Sequence, residues 1–214
     1  MGLARDLLDV LLPTPCAACG ALAGDGSLVR LCAACEEQLP RHPWPLAGSI
    51  PGISSGWYLA PYEGIAGDLV RRGKYGRREE LLAELAGFTA RIVAPGLPAV
   101  DVIVGVPSPV GRRLSRGFSL PEIFAAELSA VLGVPHARLL ARRGGARQAQ
   151  VDRAARWDNV RGAMRLRSSP ALDASVLLVD DVVTTGATAA ACAEVLLLGG
   201  ARTVHLFAFA SALS

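Results

Sequence analysis

Val176-Leu177-Leu178-Val179-Asp180-Asp181-Val182-Val183-Thr184-Thr185-Gly186-Ala187-Thr188 is the stretch on which the reading of this chain turns. An unbroken apolar run that meets two adjacent carboxylates is the pattern of a strand buried on both faces of a parallel sheet, with the acids at its carboxyl end. Ala187 to Leu198 then reads as a helix closed by Gly199-Gly200. A loop of Thr and Gly at a helix N-terminus aims backbone N–H groups at one point, where the helix dipole also favours negative charge, so it suits a phosphate. The acids before it offer only acceptors and repel that phosphate, so they call for hydroxyl groups or a metal ion.

A ribose 5-phosphate meets both demands. The stretch resembles the 5-phosphoribosyl 1-pyrophosphate (PRPP) motif of the type I phosphoribosyltransferases. That resemblance implies that Asp180 and Asp181 take the ribose 2- and 3-hydroxyls, while Val182, Val183, Thr184, Thr185, Gly186, Ala187 and Thr188 form the loop around the 5-phosphate. Gly186 permits the close backbone approach a phosphate needs. A valine there is expected to block the phosphate and leave the fold intact.

The 214 residues are enough for one full core with a small appendage, and hardly for two full domains. A hydrophobic share of 51% excludes a disordered chain, and no uncharged apolar run approaches the about 20 residues of a spanning helix, so membrane insertion is not expected. Met1 to Pro13 reads as a short amphipathic helix, because Asp6 and Asp9 interrupt any signal-peptide core; the cytoplasm is the default compartment. The net charge of +3 does not mark a nucleic-acid binder by itself, but nine arginines lie between Arg138 and Arg167 against Asp152 and Asp158. Such a strip suits phosphate or pyrophosphate, on a nucleotide or a polynucleotide, and is expected over the mouth of the phosphate site. Lys74 is the chain's one lysine.

Cys16-Ala-Ala-Cys19 and Cys32-Ala-Ala-Cys35 stand twelve residues apart. Two such knuckles complete a tetrahedral S4 site, the preferred geometry of structural zinc, and Gly20, Gly24 and Gly26 supply the turns of a small ribbon. Disulfides or free thiols are the competing reading, weakened by the missing export signal. Cys192, among alanines on a helix, reads as a buried apolar residue. Pro40 to Ser55 is dense in Pro and Gly and reads as a linker, dividing an N-terminal helix and ribbon over 1–45 from a main domain over 56–214. An edge strand is expected over Gly56–Tyr62, helices near Ile65–Arg72 and over Arg77–Val93, a strand over Asp101–Pro107, a helix over Ser119–Leu132 and a last strand over Thr203–Ala210. The loop from Ser108 through Arg112, Arg113 and Arg116 follows a buried strand, where parallel sheets bind anions.

Taken together, the four cysteines, Tyr62, Gly73-Lys74-Tyr75-Gly76, Val106-Pro107, Arg116-Gly117-Phe118, Gln148, Arg156, Asn159-Val160, Gly162-Ala163 and the PRPP stretch resemble the ComF family. Its members have the phosphoribosyltransferase fold, an α/β architecture with helices flanking a parallel sheet, here with an N-terminal zinc ribbon, and several are associated with natural competence for DNA uptake. Ser119-Leu120 stand where that family usually has Asn-Gln, and Gly145 where Thr is common. The resemblance implies PRPP bound with Mg²⁺, Ser108, Arg112, Arg113 and Arg116 around pyrophosphate, and catalytic roles for Asp180, Asp181 and Lys74. The acceptor is not legible, although Thr184 stands where hypoxanthine-type salvage enzymes carry an acid. Two readings follow: a transferase of phosphoribosyl groups to an unidentified nucleobase or amine, or a module whose PRPP site is regulatory while ribbon and basic strip engage single-stranded DNA or a DNA-translocation partner. The favoured expectation is PRPP binding in a protein auxiliary to DNA uptake.

Overall fold

Val176 and Leu178 face one side of a sheet and Leu177 and Val179 the other, and all four are fully buried. That is why the apolar run is unbroken: both faces of its strand are covered. The computed structural model describes residues 15–23, 28, 30–76, 79–109, 117–142, 162–167 and 172–213. In chain order these hold α1 (Ala33–Glu36), β1 (Trp44–Pro45), β2 (Ser55–Pro61), α2 (Gly64–Gly76), α3 (Glu79–Val93), β3 (Val102–Gly105), α4 (Leu120–Leu132), β4 (Leu140–Arg142), β5 (Met164–Leu166), β6 (Ser175–Val183), α5 (Ala187–Leu198) and β7 (Thr203–Ser211). The main sheet has the order β1-β2-β7-β6-β3; β2, β7, β6 and β3 run parallel and β1 is antiparallel to β2. β4 and β5 form a separate antiparallel pair. This is the expected mixed α/β architecture with helices on both faces of a parallel sheet.

On one face Leu69, Leu82, Leu85 and Phe124 from α2, α3 and α4 pack with Leu177, Phe207 and Phe209. The Phe124 and Phe209 rings stack with centroids 5.3 Å apart, a pair whose truncation on either side costs about 3–5 kcal/mol. On the other face α5 turns Ala189, Ala193 and the fully buried Cys192 toward Val204, Leu206 and Ala208. Small side chains there let the helix lie close on the sheet. Among the described residues no helix is long and apolar enough to cross a membrane.

The stretch expected to be a linker is packed. Trp44 pairs with Tyr58 and Pro45 with Trp57, Ile50 is buried in the core beneath α5, and a Cβ on Gly52 would meet Ala193 Cβ at 3.0 Å. Gly52 serves close approach to α5, whereas Gly48, at φ +74 with open space around it, serves a turn. The cysteine-bearing segment likewise shares a continuous apolar cluster with the helices, since Ala17, Leu31, Cys35 and Leu39 cluster with Leu59, Leu69 and Leu82. The helix expected over residues 1–13 lies outside the described residues.

Candidate functional site

β6 is paired on both sides as far as Val179, which lies between Gly105 of β3 and Phe207 of β7. β3 ends there, with Val106 N–H donating to the Val179 carbonyl at 2.8 Å. β6 continues against β7 alone to Val183↔Ser211. Asp180 and Asp181 therefore lie inside a strand longer than expected, at the point where one neighbour stops. The space left beyond β3 is a cleft of 170 Å³ at the carboxyl ends of parallel strands. Asp180, Asp181, Val182 and Thr188 line it, with Lys74 from α2, Ser108 and Pro109 after β3, Pro121 at the start of α4 and Arg142 at the end of β4.

Asp180 is 8% exposed, and its Oδ1 accepts the backbone N–H of Asp181 at 2.8 Å. Burial, and then the adjacent Asp181 charge, push its carboxyl well above the ordinary carboxylate range, while that hydrogen bond and Lys74 pull the other way. Lys74 Nζ lies 2.7 Å from Asp181 Oδ2, both side chains being mostly buried. α2 runs to Gly76 rather than ending near Arg72, so Lys74 is delivered from a helical last turn, where the helix dipole favours a cation. A buried acid held out of its ordinary titration range beside a compensating lysine is a mark of functional sites.

Gly186 is the N-cap of α5 with φ +74, and its carbonyl accepts from Ala190 N–H at 2.9 Å. Thr185 Oγ1 receives the Ala187 N–H at a long 3.4 Å, and Thr184 is exposed. A Cβ on Gly186 would meet Ile50 Cγ1 at 2.9 Å. The expectation that a valine here leaves the fold intact is therefore corrected: the position is left-handed and Ile50 fills the space beside it.

Ser108 Oγ lies 2.9 Å from Ser119 Oγ. Ser119 occupies the N-cap of α4 without a side-chain capping bond, so its hydroxyl serves the cleft wall instead of the helix. Arg112, Arg113 and Arg116 lie outside the described residues, as do Gln148, Arg156 and Asn159. Of the basic strip only Arg138, Arg142, Arg165 and Arg167 are among the described residues, and these do not share one role. Arg138 pairs with Glu122 at 3.0 Å and Arg167 Nε donates to the Leu140 carbonyl at 3.0 Å, whereas Arg142 reaches the cleft. Nothing in the sequence marks Arg142 among its neighbours; the register Arg142↔Met164 in the β4–β5 pair is what brings it there. Pro121 lines the cleft and Ser119 contacts Ser108 through the geometry of the α4 start, for which the sequence carries no signal.

Away from the cleft, the Sγ atoms of Cys16, Cys19, Cys32 and Cys35 lie within 4.8 Å of one another, with Cys19 and Cys32 at 3.7 Å. A tetrahedron with metal–sulfur bonds of about 2.3 Å has edges of about 3.8 Å, whereas a disulfide needs about 2.05 Å. All four thiols are free and fit a metal such as zinc. Burial would raise the Cys16 thiol, but backbone N–H donors from Cys19, Cys32 and Ala18 outweigh it and bring its pKa down to about 6. Gly20, at φ +82, closes the first knuckle by donating to the Cys16 carbonyl at 2.9 Å.

No protein-family model matches the chain. Loose structural likenesses are to yeast (Saccharomyces cerevisiae) adenine phosphoribosyltransferase, with 21% identity, TM-score 0.39 and 83% of this chain and 85% of that one covered, and to the glutamine PRPP amidotransferase of B. subtilis, with 21% identity, TM-score 0.41, 59% of this chain and 25% of that one. In sequence, the DNA utilization protein YhgH of Escherichia coli K12 is 29% identical over 201 residues, 91% of this chain and 82% of the relative. That of Salmonella typhi is 33% identical over 199 residues, 90% of this chain and 82% of the relative. At that identity, over nearly the whole length of both proteins, the chain belongs to the family of the DNA utilization protein YhgH.

Proposed function

We propose that this protein binds PRPP with Mg²⁺ in the cleft at the end of β6 and serves DNA utilization as an auxiliary of DNA uptake, in the line of the ComF proteins, with structural zinc on its four cysteines. The observation that carries the reading is the meeting, in one cleft, of an acid pair on a strand that continues into a glycine-capped helix with a lysine and an arginine from two other elements. Asp180 and Asp181 accept the ribose hydroxyls, and the start of α5 takes the 5-phosphate. Lys74 and Arg142, with Arg112, Arg113 and Arg116 from the loop after β3, meet the diphosphate, and Ser108, held by Ser119, adds a hydroxyl to that wall. Mg²⁺ supplies charge neutralisation on the diphosphate, bound through few protein ligands. The DNA role rests on the relatives, whose name refers to DNA utilization.

Two half-sites predict two weak ligands. Ribose 5-phosphate and pyrophosphate, each with Mg²⁺, are expected to displace PRPP competitively, and Arg142→Ala to weaken pyrophosphate several-fold while sparing ribose 5-phosphate. Displacement by neither fragment, in an equilibrium competition assay with labelled PRPP, contradicts the reading. For the cysteines, elemental analysis of protein purified without chelator is expected to find one zinc per chain, and Cys16→Ser to lose it; full occupancy in the variant contradicts a four-thiolate site.

A further inference from the structure

The two sites are joined by one helix. Successive residues of an α-helix point about 100° apart, and Arg72, Gly73 and Lys74 of α2 use those three directions for three contacts. Arg72 Nη1 donates to the Ala17 carbonyl, inside the first cysteine knuckle, at 3.2 Å. Gly73 lies against α3 so closely that a Cβ would meet Leu82 Cδ2 at 2.3 Å and Cγ at 2.7 Å. Lys74 reaches Asp181 in the cleft at 2.7 Å. Arg30, between the cysteine pairs, forms a second tie by pairing with Glu80 of α3. Leu69 and Val70, one turn earlier on α2, are fully buried, so the helix has no room to rotate one contact without disturbing the others.

We infer that metal on the four cysteines positions Lys74, and hence that knuckle occupancy and ligand affinity in the cleft are thermodynamically linked through α2, with Arg72 as the positioning residue. The inference rests on the proposed zinc and PRPP readings. The metal fixes the Cys16–Cys19 turn and with it the Ala17 carbonyl; without that anchor the last turn of α2 is released and Asp181 loses its cation. Linkage is reciprocal, so a ligand that depends on Lys74 in place must also tighten the binding of the metal.

Because Lys74 is the one lysine in the chain, its acylation by a dilute amine-reactive ester, read by peptide mass spectrometry apart from the α-amine, reports its position without any ligand. Zinc-loaded Arg72→Ala is expected to be acylated at Lys74 several-fold faster than wild type. Arg71→Ala, which removes a neighbour that pairs with Asp68 instead, is expected to match wild type. Arg30→Ala gives a second variant on the knuckle side, with a smaller acceleration in the same direction. Equal rates in wild type, Arg72→Ala and Arg30→Ala, each holding one zinc, overturn the inference. In the second arm, Mg²⁺-PRPP is expected to lower the share of zinc that a chromogenic chelator holds at equilibrium with wild type and not with Arg72→Ala. An equal lowering in both also overturns it. Absence of PRPP binding by wild type refutes the cleft reading instead, and the acylation rates still decide the role of Arg72.

Discussion

Asp180→Asn is expected to raise the stability of the ligand-free protein while removing most of its affinity for PRPP. The carboxyl is nearly buried, next to a second acid, and held well above its ordinary range by burial first and by Asp181 second. An acid whose pKa is raised by folding contributes stability that is complete below its unfolded pKa of about 3.9 and is lost as pH rises through the folded value. Wild type should therefore lose stability relative to Asp180→Asn across that window, and the variant should be flatter with pH. At neutral pH a gain of about 1 kcal/mol, or about 2–4 °C in Tm for a chain of this size, is expected. Thermal melts of both proteins from pH 4 upward check it; a less stable variant at neutral pH, or parallel pH profiles, contradicts the assignment.

Gly186→Val should have the larger effect on folding. A β-branched residue at φ +74 bears a left-handed penalty of about 1–2 kcal/mol, and the added side chain runs into Ile50, an overpacking cost of about 1–3 kcal/mol. The sum, about 2–5 kcal/mol, is separable by a double-mutant cycle. Ile50→Ala costs stability alone but should relieve the clash, so the double variant is less destabilised than the two singles added. Strict additivity in denaturant unfolding contradicts the contact between Ile50 and Gly186. Loss of PRPP binding in Gly186→Val is then to be read only on the fraction that is folded.

Much of this was legible because a few residue patterns admit few structures. An unbroken apolar run that meets Asp180-Asp181 and is followed by Thr, Gly and a helical stretch had one natural place, a buried parallel strand leading into a helix, and β6 and α5 occupy it, with the strand carried on past the acids to Val183. Two Cys-x-x-Cys pairs predicted the thiol cluster. The apolar face Leu81, Leu82, Leu85 and Phe88 of α3 is buried as its spacing required. What was not legible depends on pairing between distant segments. That β3 stops at Gly105 while β6 continues, so opening the cleft at Asp180, is a matter of register. Arg142 enters the cleft through the pairing of β4 with β5, and Ile50 reaches Gly186 because a Pro- and Gly-rich stretch is packed rather than free. Lys74 stood out as the one lysine, yet its partner Asp181 lies on an element more than a hundred residues away.

The most direct test is calorimetric titration of Mg²⁺-PRPP into the zinc-loaded wild type and into Asp180→Asn/Asp181→Asn. The double variant keeps the shape of the cleft and removes two charges, so each charge-assisted hydrogen bond to the ribose weakens. One binding site per chain is expected in wild type, with an affinity about tenfold to a hundredfold lower in the variant, roughly 1.4–2.7 kcal/mol. Equal affinity in the two proteins, or no binding heat from a folded, zinc-loaded wild type across several temperatures, would contradict it.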